Sequence, residues 1–253
     1  MKTFLRQAIR TFGYDIVRTA KENEGAYSDF APEDHALIAR VKPFTMTSKE
    51  RIFALRAAVH YLLANELAGA FVECGVWRGG STMTMALSLL ELGAADRELY
   101  LFDTFEGMPP PQEVDRRFDG VSAQTLLERN EKTTNNSYWA VAALDDVQRN
   151  LTTTGYPASR LHYVKGLVEQ TIPTQAPARI ALLRLDTDWY ESTRHELEQL
   201  YERVVPGGVI IIDDYGWYSG ARKAVDEFFA ARAFRPLLQR IDRTGRLVVK
   251  PAC

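Results

Sequence analysis

The sequence predicts an α/β protein with a mostly parallel sheet, helices on both faces of the sheet and a helical extension at the N-terminus. From residue 70 onward, short apolar runs alternate with helical stretches. These runs are rich in Val, Ile and Leu, which is typical of strands buried on both faces of a parallel sheet. The first 69 residues contain helical patterns but no strand pattern. We therefore divide the 253 residues into a helical extension, 1–69, and a sheet domain, 70–253.

Three helical patterns occupy the extension. Apolar residues recur at helical spacing between residues 9 and 17, and Pro32 stands where the first turn of a second helix is expected. Ser48 precedes an acidic residue and the apolar run 52–67, which is the signature of a helix N-cap. This signature predicts a long third helix immediately before the sheet domain.

Strands and helices alternate in the predicted sheet domain. The five predicted strands are 70–74, 98–103, 161–165, 180–186 and 209–213, and the four predicted helices are 81–92, 145–153, 192–205 and 221–232. Two further β-like runs, 236–241 and 246–250, flank a turn sequence and predict a closing hairpin. Residues 106–139, with three consecutive prolines, predict a long loop or an insertion with a functional role.

Composition favours a cytoplasmic protein without a nucleic-acid or membrane partner. The net charge is −2 and the basic residues are dispersed, so there is no electrostatic reason to expect nucleic acid or an anionic membrane as a partner. Two cysteines are too few for a disulfide framework. No apolar run has the length of a membrane span or the pattern of a secretory signal.

A glycine-rich turn follows the first predicted strand. The sequence from Glu73 to Ser81 contains Gly75, Gly79 and Gly80, which let a backbone turn tightly and approach a ligand. It lacks the lysine of a P-loop and the glycine spacing of the dinucleotide fingerprint.

Asp103 ends the second predicted strand, 30 positions after Glu73 (103 − 73). At this place a carboxylate can accept hydrogen bonds from both ribose hydroxyls. The alternative is a solvated acid or a helix cap. Together with the glycine-rich turn, Asp103 favours a nucleoside-containing cofactor, either S-adenosylmethionine or NAD.

Four carboxylates follow two successive apolar runs. Asp186 and Asp188 end one run, and Asp213 and Asp214 end the next. Carboxylates gathered at neighbouring strand ends repel one another unless a cation is present. Hard oxygen ligands without nearby His or Cys indicate Mg²⁺, with Mn²⁺ or Ca²⁺ as alternatives. The competing interpretation is that these acids are helix caps or loop charges.

Five sequence strings together resemble the macrocin O-methyltransferase family. They are VKPFTMTSKERI (41–52), FVECGVWRGGS (71–81), LFDTFEGMP (101–109), LDTDWYEST (185–193) and PGGVIIIDDYG (206–216). Members of this family methylate deoxysugar hydroxyls on macrolides and a phenolic aminocoumarin intermediate.

The resemblance implies a class I methyltransferase with a Rossmann-like, doubly wound, mostly parallel sheet of about seven strands, an N-terminal helical lid and a homodimeric state. It implies S-adenosylmethionine as methyl donor and Mg²⁺ or Mn²⁺ as metal. Under it, Asp186, Asp213 and Asp214 hold the metal, and Asp188 joins Asp186 in catalysis as general base or positioning carboxylate. The donor is bound by Glu73, Gly75, Ser81 and Asp103, with Gly166 near the adenine and Phe44, Thr45 and Met46 closing over it.

The expected function is therefore metal-dependent methylation of a hydroxyl on a sugar or a phenolic small molecule. A macrolide, an aminocoumarin and a surface-polysaccharide sugar all remain open as acceptors. Two other classes compete with this prediction. Asp186-Thr-Asp188 is a D-x-D sequence, which a metal-dependent glycosyltransferase could use to hold a nucleotide sugar. A non-catalytic small-molecule-binding module would also use the glycine-rich turn.

Overall fold

The computed structural model describes residues 27–134 and 136–251, which fall into two compact units divided after His35. The helix predicted between residues 9 and 17 lies outside the described residues. A turn at Tyr27 precedes helix α1 (Pro32–Val41), which begins at the predicted proline in the first unit and ends in the larger one. The side chain of Asp34 accepts a hydrogen bond of 2.8 Å from the amide of Ala31.

A second helix precedes the sheet in the larger unit. Lys42–Phe44 form a short 3₁₀ helix, and α2 spans Lys49–Ala64. The side chain of Ser48 accepts a hydrogen bond from the amide of Arg51, which confirms the predicted N-cap. One face of α2 is buried through Ile52, Leu55, Val59 and Leu62.

In the part of the chain that the structure describes, seven strands form one sheet. They are β1 (Ala70–Cys74), β2 (Leu99–Asp103), β3 (Leu161–Lys165), β4 (Ile180–Leu185), β5 (Val204–Ile212), β6 (Gln239–Arg240) and β7 (Arg246–Val249). Their order is β3-β2-β1-β4-β5-β7-β6. Strands β1 to β5 are parallel, and β7 pairs antiparallel with both β5 and β6. The structure thus confirms the mostly parallel sheet and the closing hairpin, although β6 is only two residues long.

Among the described residues of this unit, six further α-helices follow α2. They are α3 (Gly80–Glu91), α4 (Ala123–Glu128), α5 (Leu144–Thr152), α6 (Val168–Thr171), α7 (Tyr190–Leu200) and α8 (Ser219–Ala230). The helix predicted for 192–205 was too long. It ends at Leu200, and Val204 begins β5, where it is the register partner of Ile180. Pairing with a fully buried neighbouring strand outweighs the helical pattern there.

The strand order reverses between β1 and β4, which are neighbours in the sheet. Both strands are buried along their whole length. In open α/β sheets, ligands bind outside the carboxyl ends of the strands at such a switch point. The predicted glycine-rich turn and the first acidic pair follow these two strands directly.

Several polar contacts hold the insertion 106–139 against the domain. The carboxylate of Asp115, which is fully buried, accepts hydrogen bonds from the amides of Gln112 (2.7 Å) and Tyr190 (2.8 Å). The indole of Trp189 donates a hydrogen bond of 3.0 Å to the carbonyl of Pro109. The segment is therefore packed onto the start of α7. None of the described helices combines the length and the apolar character that crossing a membrane requires.

Candidate active site

A cavity of about 660 Å³ opens at the carboxyl ends of the parallel strands. Its wall is formed by residues 44–48 before α2, by the turn after β1, and by the residues that follow β2, β4 and β5. Part of the insertion and the hairpin turn 242–244 complete it. The place agrees with the ligand crevice expected of this sheet topology.

Two glycines of the β1–α3 turn permit close approach of other backbone segments. Gly75 has φ +81°, and a Cβ there would overlap the carbonyl oxygen of Asp186. A Cβ on Gly80 would lie 2.6 Å from the carbonyl oxygen of Phe44 and 2.6 Å from the Cβ of Thr45. These glycines therefore bring the end of β4 and residues 44–45 against the turn, in addition to leaving room for a ligand.

Asp103 lines the cavity and organises the same turn. Its Oδ2 accepts hydrogen bonds from the amides of Val76 (2.6 Å) and Trp77 (3.1 Å), and its Oδ1 accepts one from Phe105 (2.6 Å). Burial raises the pKa of Asp103, although these hydrogen bonds act in the opposite direction. Oδ2 thus already has two donors, and Oδ1 has the Phe105 amide and the hydroxyl of Thr104 at 3.5 Å, so of about four lone-pair sites at most one, on Oδ1, is left for a ligand hydroxyl.

Asp186, Asp213 and Asp214 come together as the sequence predicts. Each offers one carboxylate oxygen, and these atoms lie within 4.8 Å of one another. Asp188 lines the same cavity and has a left-handed backbone conformation, with φ +65°. Burial and the neighbouring carboxylates raise the pKa values of Asp186, Asp188 and Asp214 well above the usual aspartate range.

Arg184 supplies a buried positive charge that the sequence-based argument missed. It lies on β4 with 3% of its side chain exposed. One terminal nitrogen donates to Glu73 (2.8 Å) and to Asp186 (2.6 Å), and the other donates to Asp213 (2.8 Å). The acids therefore do not depend on a metal alone for charge compensation. The sequence did offer one sign of this buried charge, namely a single arginine within the apolar run 180–185.

Arg51, from the first turn of α2, is a second positive charge that was missed. Its terminal nitrogen contacts Oδ2 of Asp213, and its Nε lies 3.0 Å from Oδ2 of Asp242. Burial lowers the pKa of the guanidinium, but Asp213 and Asp242 more than offset this and the pKa is raised. Nothing in the local sequence distinguishes Arg51 from a solvated arginine on a helix, because its partners are more than 150 positions away.

Glu73 lies beneath the cavity rather than on its wall. It is 1% exposed, and Arg184 and the hydroxyl of Thr82 both donate hydrogen bonds to its carboxylate. The cavity wall does include the other residues that the sequence predicts for donor binding, namely Phe44, Thr45, Met46, Gly75, Ser81, Asp103 and Gly166. Glu73 is thus the one predicted donor residue that does not line the cavity.

Among the described residues, four buried side-chain nitrogen or oxygen atoms make no hydrogen bond, and three of them belong to residues of this wall. They are Arg51 Nε, Trp77 Nε1 and Asp214 Oδ2, whereas His60 Nε2 lies elsewhere. Buried polar groups normally have hydrogen-bond partners, so each such atom requires an explanation. Their concentration in one cavity indicates a site shaped for a polar ligand.

Aromatic and cationic side chains form the outer rim. Tyr138 from the insertion and Trp217 after β5 line the cavity together with Arg243 of the hairpin turn. The guanidinium of Arg243 lies 5.0 Å from the ring centre of Trp217 and 5.4 Å from that of Phe118, which is 58% exposed. In the described part of the chain, no carboxylate pairs with Arg243.

Comparison with known proteins adds chemistry to this geometry. The family described as macrocin-O-methyltransferase (TylF) matches residues 8–250. An 8-demethyl-8-(2,3-dimethoxy-alpha-L-rhamnosyl)-tetracenomycin-C 4'-O-methyltransferase of Streptomyces olivaceus is 34% identical over 233 residues, covering 91% of this chain and 85% of the relative. Mycinamicin III 3''-O-methyltransferase of Micromonospora griseorubida is 31% identical over 213 residues, covering 84% and 79%. The solved structure of the O-methyltransferase NovP has a TM-score of 0.71 and 32% identity, covering 82% of each chain.

The sheet order and the similarity to that structure define a class I methyltransferase fold. The chain belongs to the macrocin O-methyltransferase family, and it is an O-methyltransferase. Membership implies S-adenosylmethionine rather than NAD as the nucleoside-containing ligand. It also decides against the glycosyltransferase and the non-catalytic binding module.

Proposed function

We propose that this enzyme transfers the methyl group of S-adenosylmethionine to a sugar hydroxyl of a small-molecule glycoside, with a divalent cation at Asp186, Asp213 and Asp214. The observation that carries the proposal is the shared cavity. The three carboxylates, Asp188 and the glycine-rich turn all border it. Donor and acceptor can therefore be held side by side, and such orientation supplies a large part of the rate of a two-substrate transfer.

The donor would lie against the β1–α3 turn. Oδ1 of Asp103 would accept a hydrogen bond from one ribose hydroxyl, Gly166 borders the cavity on the side of β3, and Ser81 borders it at the start of α3. Residues 44–46, with Met46 44% exposed, would cover the donor. We assign Glu73 a supporting role through Arg184, because both lie beneath this wall.

The acidic residues fit a divalent cation. Their three oxygens are close enough to share one ion, and Oδ2 of Asp214 is buried without a partner. Carboxylate oxygens are the ligands that Mg²⁺ and Mn²⁺ prefer. Arg184 and Arg51 already contact Asp213, and carboxylate oxygens with several lone pairs can serve both a guanidinium and a cation.

A sugar hydroxyl is a weak nucleophile because it remains protonated at neutral pH. When bound, the cation supplies Lewis acidity that makes a neighbouring hydroxyl easier to deprotonate. Asp188 would accept the proton, and burial, which raises its pKa, strengthens its carboxylate as a base. S-adenosylmethionine would supply the methyl group: the hydroxyl oxygen would form a bond to the methyl carbon as the carbon–sulfur bond breaks, and the electron pair of that bond would stay on sulfur.

The acceptor class is inferred from the rim and from the relatives. One relative is named for a rhamnosyl tetracenomycin and another for mycinamicin III, both glycosylated natural products. Tyr138 and Trp217 offer flat apolar surfaces, and Arg243 offers hydrogen-bond donors, which together suit an acceptor that is part ring and part polar. A phenolic acceptor is the alternative within the same chemistry. A homodimer and a cytoplasmic location remain predictions.

The test is a mass-spectrometric methylation assay across glycosylated and phenolic acceptors. We expect one added methyl group on a sugar-bearing acceptor, loss of this product in EDTA, and recovery when Mg²⁺ or Mn²⁺ is restored. Full activity in the chelator would contradict the cation, and methylation of phenolic acceptors alone would contradict the sugar.

A further inference from the structure

Arg51 and Arg184 both contact Asp213, but they are placed differently. Arg184 lies within a buried strand and is bonded to three carboxylates, with 3% of its side chain exposed. Arg51 lies in the first turn of α2, lines the cavity and has 16% of its side chain exposed. Arg184 is thus a fixed part of the scaffold, whereas Arg51 reaches Asp213 from the cavity wall through a flexible side chain.

A second carboxylate lies within reach of the Arg51 guanidinium. Oδ2 of Asp242 is 3.0 Å from Nε of Arg51, yet this nitrogen makes no hydrogen bond there. Asp242 is held independently of Arg51, because it accepts hydrogen bonds from Ser48 Oγ (2.6 Å) and from the amides of Thr244 (2.8 Å) and Gly245 (2.7 Å). The present arrangement therefore favours Asp213 and leaves the contact with Asp242 incomplete.

We infer that Arg51 is a displaceable placeholder cation, which neutralises Asp213 while the divalent site is empty and moves towards Asp242 when the ion binds. The inference rests on the proposed cation site. It assigns Arg51 a competing role at the cation site, separate from the structural charge of Arg184. It also links the ion to the start of α2, where Ser48 caps the helix and bonds to Asp242.

The direction of the effect follows from charge. A guanidinium on Asp213 repels an incoming divalent ion and takes up one of the lone pairs of Oδ2. At an effective dielectric constant of about 20, a unit charge a few ångströms away changes binding by more than tenfold. Removing the charge of Arg51 should therefore tighten cation binding by at least about tenfold.

The experiment measures Mn²⁺ binding to the full chain by the electron paramagnetic resonance signal of free Mn²⁺. Arg51→Met keeps the length of the apolar stem and removes the charge, and we expect its Kd for Mn²⁺ to fall at least about tenfold. Arg149→Met is the control, because it removes an arginine whose side chain is 65% exposed and pairs with Asp145 and Asp146 on its own helix, outside the cavity wall. Its Kd should stay within about threefold of the unsubstituted protein.

A second comparison tests the role of Asp242. Asp242→Asn should weaken Mn²⁺ binding when Arg51 is present, because the displaced guanidinium then lacks its carboxylate partner. The loss should be smaller in the Arg51→Met background, where there is no guanidinium for Asp242 to accept. Equal losses in both backgrounds, or unchanged or weaker binding by Arg51→Met, overturn the inference.

Binding of S-adenosylhomocysteine, measured by calorimetry for each variant, reports an intact donor site. If every protein binds S-adenosylhomocysteine and none binds Mn²⁺, the cation part of the proposed function fails and the inference fails with it. If the unsubstituted protein binds Mn²⁺ and Arg51→Met binds it no more tightly, only the inference fails.

Discussion

Arg184 on β4 and Glu73 on β1 are register partners in the sheet and are joined by a hydrogen bond of 2.8 Å between fully buried side chains. The same guanidinium reaches Asp186 and Asp213 at the ends of β4 and β5. One buried cation therefore ties three strands together directly below the site.

Replacing Arg184 by Met should destabilise the fold severely. The substitution removes the only cation in contact with Glu73 among the described residues and leaves buried carboxylates without compensation. Breaking a buried ion pair from one side costs about 3–5 kcal/mol. Urea denaturation followed by circular dichroism measures this loss. Arg194→Met makes the same substitution on the solvent-facing side of α7 and should lower the free energy of unfolding by less than about 1 kcal/mol. Similar losses for the two variants would contradict the role of Arg184 as a buried counter-charge.

The sheet and the gathering of acids could be predicted because both follow from local pattern. Apolar runs alternating with helical stretches define a parallel sheet, and residues that end consecutive parallel strands must lie along one edge. This rule alone was enough to predict that Asp186 and Asp213 lie near each other at the same edge of the sheet. The closing hairpin was equally visible, because β-like runs flank the turn at 242–245.

The charge balance of the site could not be predicted in the same way. From the sequence alone, the clustered carboxylates were expected to need a metal ion. In the structure, Arg184 and Arg51 already compensate part of the negative charge of Asp186 and Asp213. Arg51 comes from a helix 162 positions before Asp213, and such contacts depend on tertiary packing. Likewise Glu73 was expected to contact the donor, and only the packing of Thr82 and Arg184 around it reveals that it lies below the wall.

The buried Glu196 should make stability depend on pH. Both of its carboxyl oxygens lie within 3.1 Å of the hydroxyl of Thr187, which stands between Asp186 and Asp188. Burial raises the pKa of Glu196 well above its usual range. When the pKa of a glutamate is higher in the folded protein than in the unfolded chain, the free energy of unfolding falls as the pH rises. The fall begins near the unfolded-state pKa of about 4.3 and ends when the pH passes the folded-state pKa.

Glu196→Gln mimics the protonated carboxyl and should remove this dependence. We expect the variant to be at least as stable as the unsubstituted protein at pH 7, with a smaller decline in stability between pH 5 and pH 8. Thermal unfolding across this pH range provides the measurement, and Glu198→Gln on the exposed face of the same helix is the control. An unchanged pH profile for Glu196→Gln would show that this carboxyl does not carry the effect.

Gly75→Ala should disturb the site through the backbone. A Cβ at this position would overlap the carbonyl oxygen of Asp186, and φ of +81° is strained for any L side chain. We expect a loss of stability of more than about 1 kcal/mol together with weakened donor binding, because the turn and the end of β4 must separate. Gly120→Ala has a similar φ of +86° but no atom within 4 Å of the added Cβ. It therefore measures the cost of the backbone strain without the steric overlap. Equal effects of the two substitutions would contradict the close-approach argument.

Asp214→Asn should separate cation binding from donor binding. The change is nearly isosteric and removes one of three proposed carboxylate ligands, including the buried oxygen that has no partner. We expect Mn²⁺ affinity and methyl transfer to fall at least about tenfold, which corresponds to 1.4 kcal/mol, while S-adenosylhomocysteine binding measured by calorimetry changes little. A parallel loss of donor affinity would indicate instead that Asp214 supports the cavity as a whole.

Arg243→Met should weaken acceptor recognition without changing the chemistry. The guanidinium lies over Trp217 and Phe118 at the rim and contacts no carboxylate of the described residues, so its hydrogen-bond donors remain available to an acceptor. Loss of one such contact at an exposed rim is worth about 1 kcal/mol, which predicts an increase of about fivefold in acceptor KM at unchanged kcat. Steady-state kinetics with the acceptor identified by mass spectrometry supplies the measurement, and Arg240→Met, on the same hairpin but not in the cavity wall, is the control. A fall in kcat at constant KM would contradict a role in binding, because a residue that acts only in recognition changes the ground state and the transition state alike.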